Sequence, residues 1–230
     1  MEVSQEIGKL CYFRQRIYKE NQGYEEYELL LRYKKGDNYY FPQTLFSKIL
    51  SYEIYHKLYM THIGNLLREK LTKDTNTYTV NFDYQELNYS HTIEFLENFE
   101  FKDRLKIEIT ENFYKGAELA LSDKKFIDKL IRLKDLGYEF ALDDFLTGIN
   151  SYEFLFTLRE VITRVKISVL KFKKFLDNKE LAVFLSSIVE SFSFLGKEIV
   201  IEAVENEKLF ALFPREWYQQ TFYYSKPHPF

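Results

Sequence analysis

A chain of 230 residues with 46% apolar content can bury one sizeable core, and its length suits one large α/β domain over residues 1–230 better than two small ones. A net charge of −3 supplies no basic field for a nucleic-acid polymer, and one cysteine, Cys11, excludes an intramolecular disulfide framework. No apolar run approaches the roughly 18 residues of a membrane span, so the chain is expected to be soluble and cytoplasmic.

The first elements read as a hairpin. Leu10 to Lys19 and Tyr24 to Tyr33 are strand-like runs on either side of Glu20-Asn21-Gln22-Gly23, where Asn and Gly favour a turn. In the second run Tyr27, Leu29, Leu31 and Tyr33 share an apolar face that should meet the core, so Glu28 points elsewhere with Glu26, Leu30 and Arg32. Gln43 to Leu71 has apolar residues near helical spacing, among them Ile54, Leu58, Ile63, Leu66 and Leu67, and its two histidines, His56 and His62, read as packing or surface residues. Tyr78 to Phe82 is β-rich, and Leu105 to Thr110 alternates, with Lys106, Glu108 and Thr110 opposite its aliphatics. A helix should run from about Asp123 to Leu136, capped by Ser122 and Gly137. Phe140 to Asp143 is a short buried strand that ends in the pair Asp143-Asp144. Arg164 to Ile167 alternates again and puts Lys166 opposite its aliphatics. Asp177 and Glu180 form a capping box for a helix that stops near Gly196, Glu198 to Glu202 is a strand ending in an acid, and a last strand runs from Tyr218 to Tyr224.

Strands alternating with helices imply βαβ units in number enough for a closed, TIM-like (β/α) barrel of the α/β class. The C-terminal rim of such a barrel would gather Glu28, Asn81, Glu108, Asp143, Asp144, Lys166 and Glu202. Five carboxylates against one or two lysines leave uncompensated charge, which is costly when buried and is relieved by divalent cations. Carboxylates and an Asn carbonyl are hard oxygen donors, so Mg²⁺ or Mn²⁺ is preferred to Zn²⁺. Two such ions about 3.5–4 Å apart are the arrangement that supports in-line displacement at phosphorus.

These residues resemble the EAL-domain cyclic di-GMP phosphodiesterases along nearly the whole chain. Glu28-Leu29-Leu30-Leu31-Arg32 is similar to the Glu-Ala-Leu-Leu-Arg strand that names the family, and Gln15 stands where the family has the Gln of Gln-Pro-Ile. Asn81, Glu108-Ile109-Thr110-Glu111, Asp143-Asp144-Phe145 with Thr147-Gly148, Lys166-Ile167, Glu202 with Glu205, and Gln220 with Ser225-Lys226-Pro227 follow in the family's order. The resemblance implies a stand-alone EAL domain, barrel-shaped with an antiparallel first strand, that opens cyclic di-GMP to linear pGpG. It implies that Glu28, Asn81, Glu108 and Asp143 hold one divalent cation, and Asp143, Asp144 and Glu202 a second. Lys166 and Glu202 are then the candidates for handling the attacking water and its proton. Glu111 would support the loop after Asp144, and Gln15, Arg32, Glu205 and Gln220 would meet the nucleotide. A homodimer through the loop and helix after Asp144 is also implied.

The chain departs from the family's pattern at Arg16, Leu29, Asp83, Leu146, Ser168, Ile201, Ala203 and Thr221, none of them an implied ligand. Leu146 and Ala203 replace glycines, which puts loop geometry at issue. The alternatives are a catalytically idle cyclic di-GMP receptor and a protein-interaction module.

Overall fold

A computed structural model of the chain describes residues 2–112, 123–205, 207–211 and 213–230. Its first two long strands, β1 (Leu10–Ile17) and β2 (Glu26–Lys35), pair antiparallel, Gln15 opposite Glu28. Asn21, in the left-handed region at φ 61°, turns the chain between them. A short β3 (Asn38–Tyr40) folds back on β2.

From β2 the sheet continues parallel through β4 (Thr77–Phe82), β5 (Leu105–Ile109), β6 (Phe140–Leu142), β7 (Ile162–Ser168), β8 (Glu198–Glu202) and β9 (Tyr218–Gln220). Tyr18, just beyond β1, exchanges both backbone hydrogen bonds with Gln219, at 2.8 and 2.7 Å, and so joins the two edges. The result is a TIM-like barrel whose first strand runs against the others, as the sequence leads one to expect. β10 (His228–Pro229) adds to the outside of β1.

The apolar faces of the strands look outward, toward the helices. Tyr27, Leu29, Tyr78, Val80, Leu105, Ile107, Ile109, Val165, Ile167 and Ile201 are all buried there. α1 (Glu2–Ile7), α2 (Gln43–Ser51), α3 (Glu53–Leu71), α4 (Tyr84–Asn88), α5 (Ser90–Asn98), α6 (Lys124–Asp135), α7 (Tyr152–Thr157), α8 (Val169–Lys173), α9 (Asn178–Phe194) and α10 (Glu207–Phe210) accompany the sheet. Glu28 therefore points into the barrel, where it is 5% exposed, rather than toward solvent.

The barrel interior carries two tiers of charge. At the N-terminal ends of the strands Arg164 pairs with Glu26 and, at 2.8 Å, with Glu198, while Lys106 lies 3.4 Å from Glu26 and 2.8 Å from Glu139. Lys106 thus belongs to this lower tier, one pleat below Glu108 on the same strand. Ile17, Val200 and Tyr218 form a small apolar plug inside the barrel.

Several local readings change. The segment 43–71 is helical as read, but in two helices, because Tyr52 adopts an extended φ of −131° that closes α2 and opens α3. Ile54 and Leu58 consequently face solvent, and the buried stripe of α3 is Tyr59, Met60, Ile63, Leu67 and Leu71. His56 is fully buried, bonded to Glu86 at 3.0 Å and to His91 at 2.7 Å. Asp123 caps α6 by accepting from the Lys125 amide; Ser122 lies outside the described residues. The Asp177–Glu180 capping box forms as expected. The last strand stops at Gln220, since Thr221 Oγ1 accepts from the amides of Tyr223 and Tyr224 and bends the chain. No helix among the described residues is long and apolar enough to cross a membrane.

Candidate active site

Strand register brings the rim acids together. Glu108 lies beside Asn81, Glu202 beside Gln220, and Gln15 beside Glu28, each pair on adjacent strands with side chains on the inner face. At their centre stands Lys166, 1% exposed. Its ammonium reaches Glu28 at 2.9 Å, Glu108 at 2.5 Å, Glu202 at 2.7 Å and Asp143 at 3.5 Å. Glu28 also accepts from Asn81 Nδ2 at 2.7 Å and from Gln220 Nε2. Asp144 turns away from this cluster and meets Lys171 of α8 at 2.9 Å.

Four carboxylates share one ammonium, and their proton affinities show the imbalance. Burial, with Glu28 as the strongest repelling charge, holds Glu108 well above the usual carboxylate range. Burial likewise raises Asp143, and pushes Glu202 up to about 8 against the pull of Lys166. Glu28 alone is lowered: burial opposes this, but Lys166 and the hydrogen bonds from Gln220 and Asn81 outweigh it. Lys166 stays protonated, since the four acids overcome the cost of burying its charge.

The donor set suits divalent cations. It is all oxygen and short of positive charge, and Glu108 Oε2 is buried without a hydrogen-bond partner. Among the described residues no three His, Cys, Asp or Glu side chains stand in an ion-holding arrangement; the acids converge on Lys166 instead.

Two cavities meet over Glu28, Leu30 and Asp143. One, of about 250 Å³, is lined by Tyr12, Arg32, Asn81, Asp83, Thr110, Glu111 and Asn112. The other, of about 300 Å³, is lined by Gln15, Asp144, Lys166, Leu170, Glu202, Glu205, Gln220 and Phe222. A larger hollow of about 720 Å³ opens beside α1 and α2 and contains none of the rim acids, so size does not mark the chemistry here. The structure thus brings Gln15, Glu205 and Gln220 into one lobe and places Arg32 and Glu111 in the other. Gln15 donates to the Ser225 carbonyl and accepts from Gln220, whereas Arg32 donates to the carbonyl of Leu31.

The loop after Asp144 is held by Asn150, which the sequence did not single out, and by the packing of Gly148 on Glu111. Buried Asn150 donates to the carbonyls of Asp143, at 2.6 Å, and of Ile109, at 3.1 Å, and accepts from Tyr84. Gly148 packs so closely on the Glu111 backbone that a Cβ would lie 2.0 Å from its carbonyl oxygen. Asp144, Leu146 and Ala203 all hold left-handed φ, at 43°, 72° and 58°. The last two are the positions where the family has glycine, so these loops keep a glycine backbone without the residue. Lys171, Leu170 and Phe222 also border the site, and only their neighbourhood in space reveals it.

A comparison with curated protein sequences finds no match. Among solved structures the fold is similar to that of the EAL enzyme Bd1971 in its cAMP-bound form, at 19% identity and TM-score 0.76, covering 99% of this chain and 66% of that one. This chain therefore spans just under two thirds of Bd1971. It is similar to the PaMucR phosphodiesterase in complex with c-di-GMP, at 20% identity and TM-score 0.77, covering 99% and 95% of the two chains. The manganese/c-di-GMP complex of Klebsiella pneumoniae BlrP1 matches at 19% identity and TM-score 0.72, covering 95% and 56%. The EAL domain family model matches residues 3–215, and with that span the chain belongs to the EAL domain family.

Proposed function

We propose that this chain is a cyclic di-GMP phosphodiesterase that opens its substrate to linear pGpG with Mg²⁺ or Mn²⁺. The observation that carries this reading is the convergence of Glu28, Glu108, Asp143 and Glu202 on Lys166 between two lobes of similar volume. A two-fold symmetric cyclic dinucleotide would fit such a groove with one nucleoside in each lobe and a phosphodiester over Glu28 and Asp143. The PaMucR and BlrP1 complexes, which hold c-di-GMP, support the choice of ligand.

Glu28, Asn81, Glu108 and Asp143 would hold one cation, and Asp143, Asp144 and Glu202 another. These ions would supply Lewis acidity at the phosphodiester and ease deprotonation of the attacking water. Gln15, Gln220 and Glu205 would position the nucleotide in one lobe and Arg32 in the other, while Glu111 supports the loop at Gly148. Lys166, held charged by four acids, is a donor rather than a base; it would orient the water oxygen. Glu202, which lines the same lobe as Lys166, would then take the water's proton. The water oxygen would form the new bond to phosphorus as the bond to the 3′ oxygen breaks, and that oxygen would leave with the proton that Glu202 took from the water.

The strained turns at Asp144, Leu146 and Ala203 favour a second reading, an idle receptor that binds the nucleotide without turnover. Tyr152 and Phe156 of α7, both about half exposed, support a homodimer through the helix after Asp144. We place the protein in the cytoplasm, where its substrate would be made. The purified chain and Glu28→Ala are incubated with cyclic di-GMP in Mg²⁺ and in Mn²⁺, and pGpG is read by chromatography. Metal-dependent product from the unaltered chain alone is expected. Binding without product supports the receptor, and absence of binding leaves an interaction module.

A further inference from the structure

Asp144 differs from the other rim acids in the cation it meets. Glu28, Glu108, Asp143 and Glu202 share Lys166, whereas Asp144 Oδ2 lies 2.9 Å from Nζ of Lys171. Lys171 sits on α8, one short turn beyond the end of β7, so the segment that carries Lys166 to the centre also delivers a second ammonium to the edge. Its side chain is 42% exposed and that of Asp144 17%, which puts the pair at the mouth of the second lobe.

We propose that Lys171 is a resident counter-ion of Asp144 that a second divalent cation must displace, so that the two cation positions of this site differ in affinity. The inference rests on the metal-dependent reading above. An ammonium 2.9 Å from Oδ2 occupies the approach that a cation bound to that oxygen would need. Because the pair is solvent-facing, breaking it is easy, and the penalty on the second ion is modest, about two- to fivefold in affinity. The first position, built on Glu28, Asn81, Glu108 and Asp143, lies deeper and does not meet Lys171.

The test is calorimetric titration of Mn²⁺ into the purified chain without substrate, with free Mn²⁺ counted by electron paramagnetic resonance, for the unaltered protein, Lys171→Met and Lys171→Arg. The unaltered protein should bind two ions of unequal affinity. Lys171→Met should tighten the weaker class about two- to fivefold and leave the tighter one unchanged, while Lys171→Arg should behave as the unaltered chain. Equal weak-class affinities in the unaltered protein and Lys171→Met, or one ion bound by both, would overturn the inference and leave the metal site standing. An equal shift of both classes would also overturn it, as a general effect of the substitution. Failure of either protein to bind Mn²⁺ would overturn the metal reading and this inference together. Melting curves check the fold, and Lys171→Gln repeats the titration if Met perturbs it.

Discussion

Ala203 sits between Glu202 and the lobe-lining Glu205 with φ at 58°, a conformation in which an L side chain crowds its own carbonyl. That crowding costs about 1–2 kcal/mol, and glycine avoids it. Glycine in turn gives the unfolded chain more freedom, worth about 0.5–1 kcal/mol against folding. The difference leaves Ala203→Gly more stable by about 0.5–1 kcal/mol, or up to about 4 °C in melting temperature for a domain of this size. The Ala203 amide bonds the Gln220 carbonyl at 3.0 Å, an anchor that keeps the backbone in place after the substitution. Ala182→Gly is the control: it lies within α9, where glycine should cost about 1 kcal/mol. Thermal melts of the three proteins, followed by circular dichroism, measure the effect. The two substitutions should move the melting temperature in opposite directions, and a fall for Ala203→Gly would refute the strain argument.

Gly148→Ala should destabilise the loop after Asp144, because the new Cβ would collide with the Glu111 carbonyl at 2.0 Å; reduced thermal stability together with faster proteolysis of that loop would show it, and unchanged behaviour would count against the packing. Glu26 is fully buried, and although burial opposes it, Arg164 and Lys106 hold its carboxyl below the usual carboxylate range. A carboxylate lowered in the fold stabilises above the unfolded value, and this contribution is lost as pH falls through the folded one. Glu26→Gln should therefore melt well below the unaltered chain at pH 7, and the gap should narrow toward pH 3; a gap independent of pH would contradict the ion pairing. Removing the other partner, as Arg164→Met, should cost about 3–5 kcal/mol, since it leaves Glu26 buried without its main counter-charge. Urea unfolding at neutral pH measures that loss, and a change under about 1 kcal/mol would argue against a closed lower tier.

What could be read from the chain before folding was what depends on near neighbours. The Asp177–Glu180 capping box spans three residues and formed as read, as did the strand alternations at Leu105 to Thr110 and Arg164 to Ile167. The break at Tyr52 escaped because no Gly or Pro marks it, and of the apolar residues read at helical spacing Ile54 and Leu58 are exposed. Contacts between distant residues could not be read from periodicity at all. Arg164 and Glu26 lie 138 residues apart, and so do Lys166 and Glu28; the barrel reading and the family resemblance put the second pair at one rim, and nothing announced the first. The His56–Glu86 and His56–His91 bonds and the Lys171–Asp144 pair were hidden for the same reason. Apolar faces were identified correctly in β2, and Glu28, on the opposite face, lies at the inner rim where the barrel reading put it. A barrel has two buried faces, and here the inner one is polar.

That inner polarity ties the fold to the site. Outward apolar residues anchor each strand to its helices, and the period of two then forces the alternate residues inward whatever their charge. The lower tier answers this with near balance: Arg164 and Lys106 face Glu26 and Glu198, and the Tyr218 hydroxyl donates to Glu198. The rim does not balance. Four acids hold one lysine there, and Glu108, Asp143 and Glu202 are left with raised proton affinities. Stability alone would be served by pairing the rim as the lower tier is paired, since unpaired buried acids are costly. The difference between tiers that share the same strands is thus a property of the sequence and not of the architecture. A deficit of positive charge confined to the open end, where two lobes give access, is what a site that recruits cations requires.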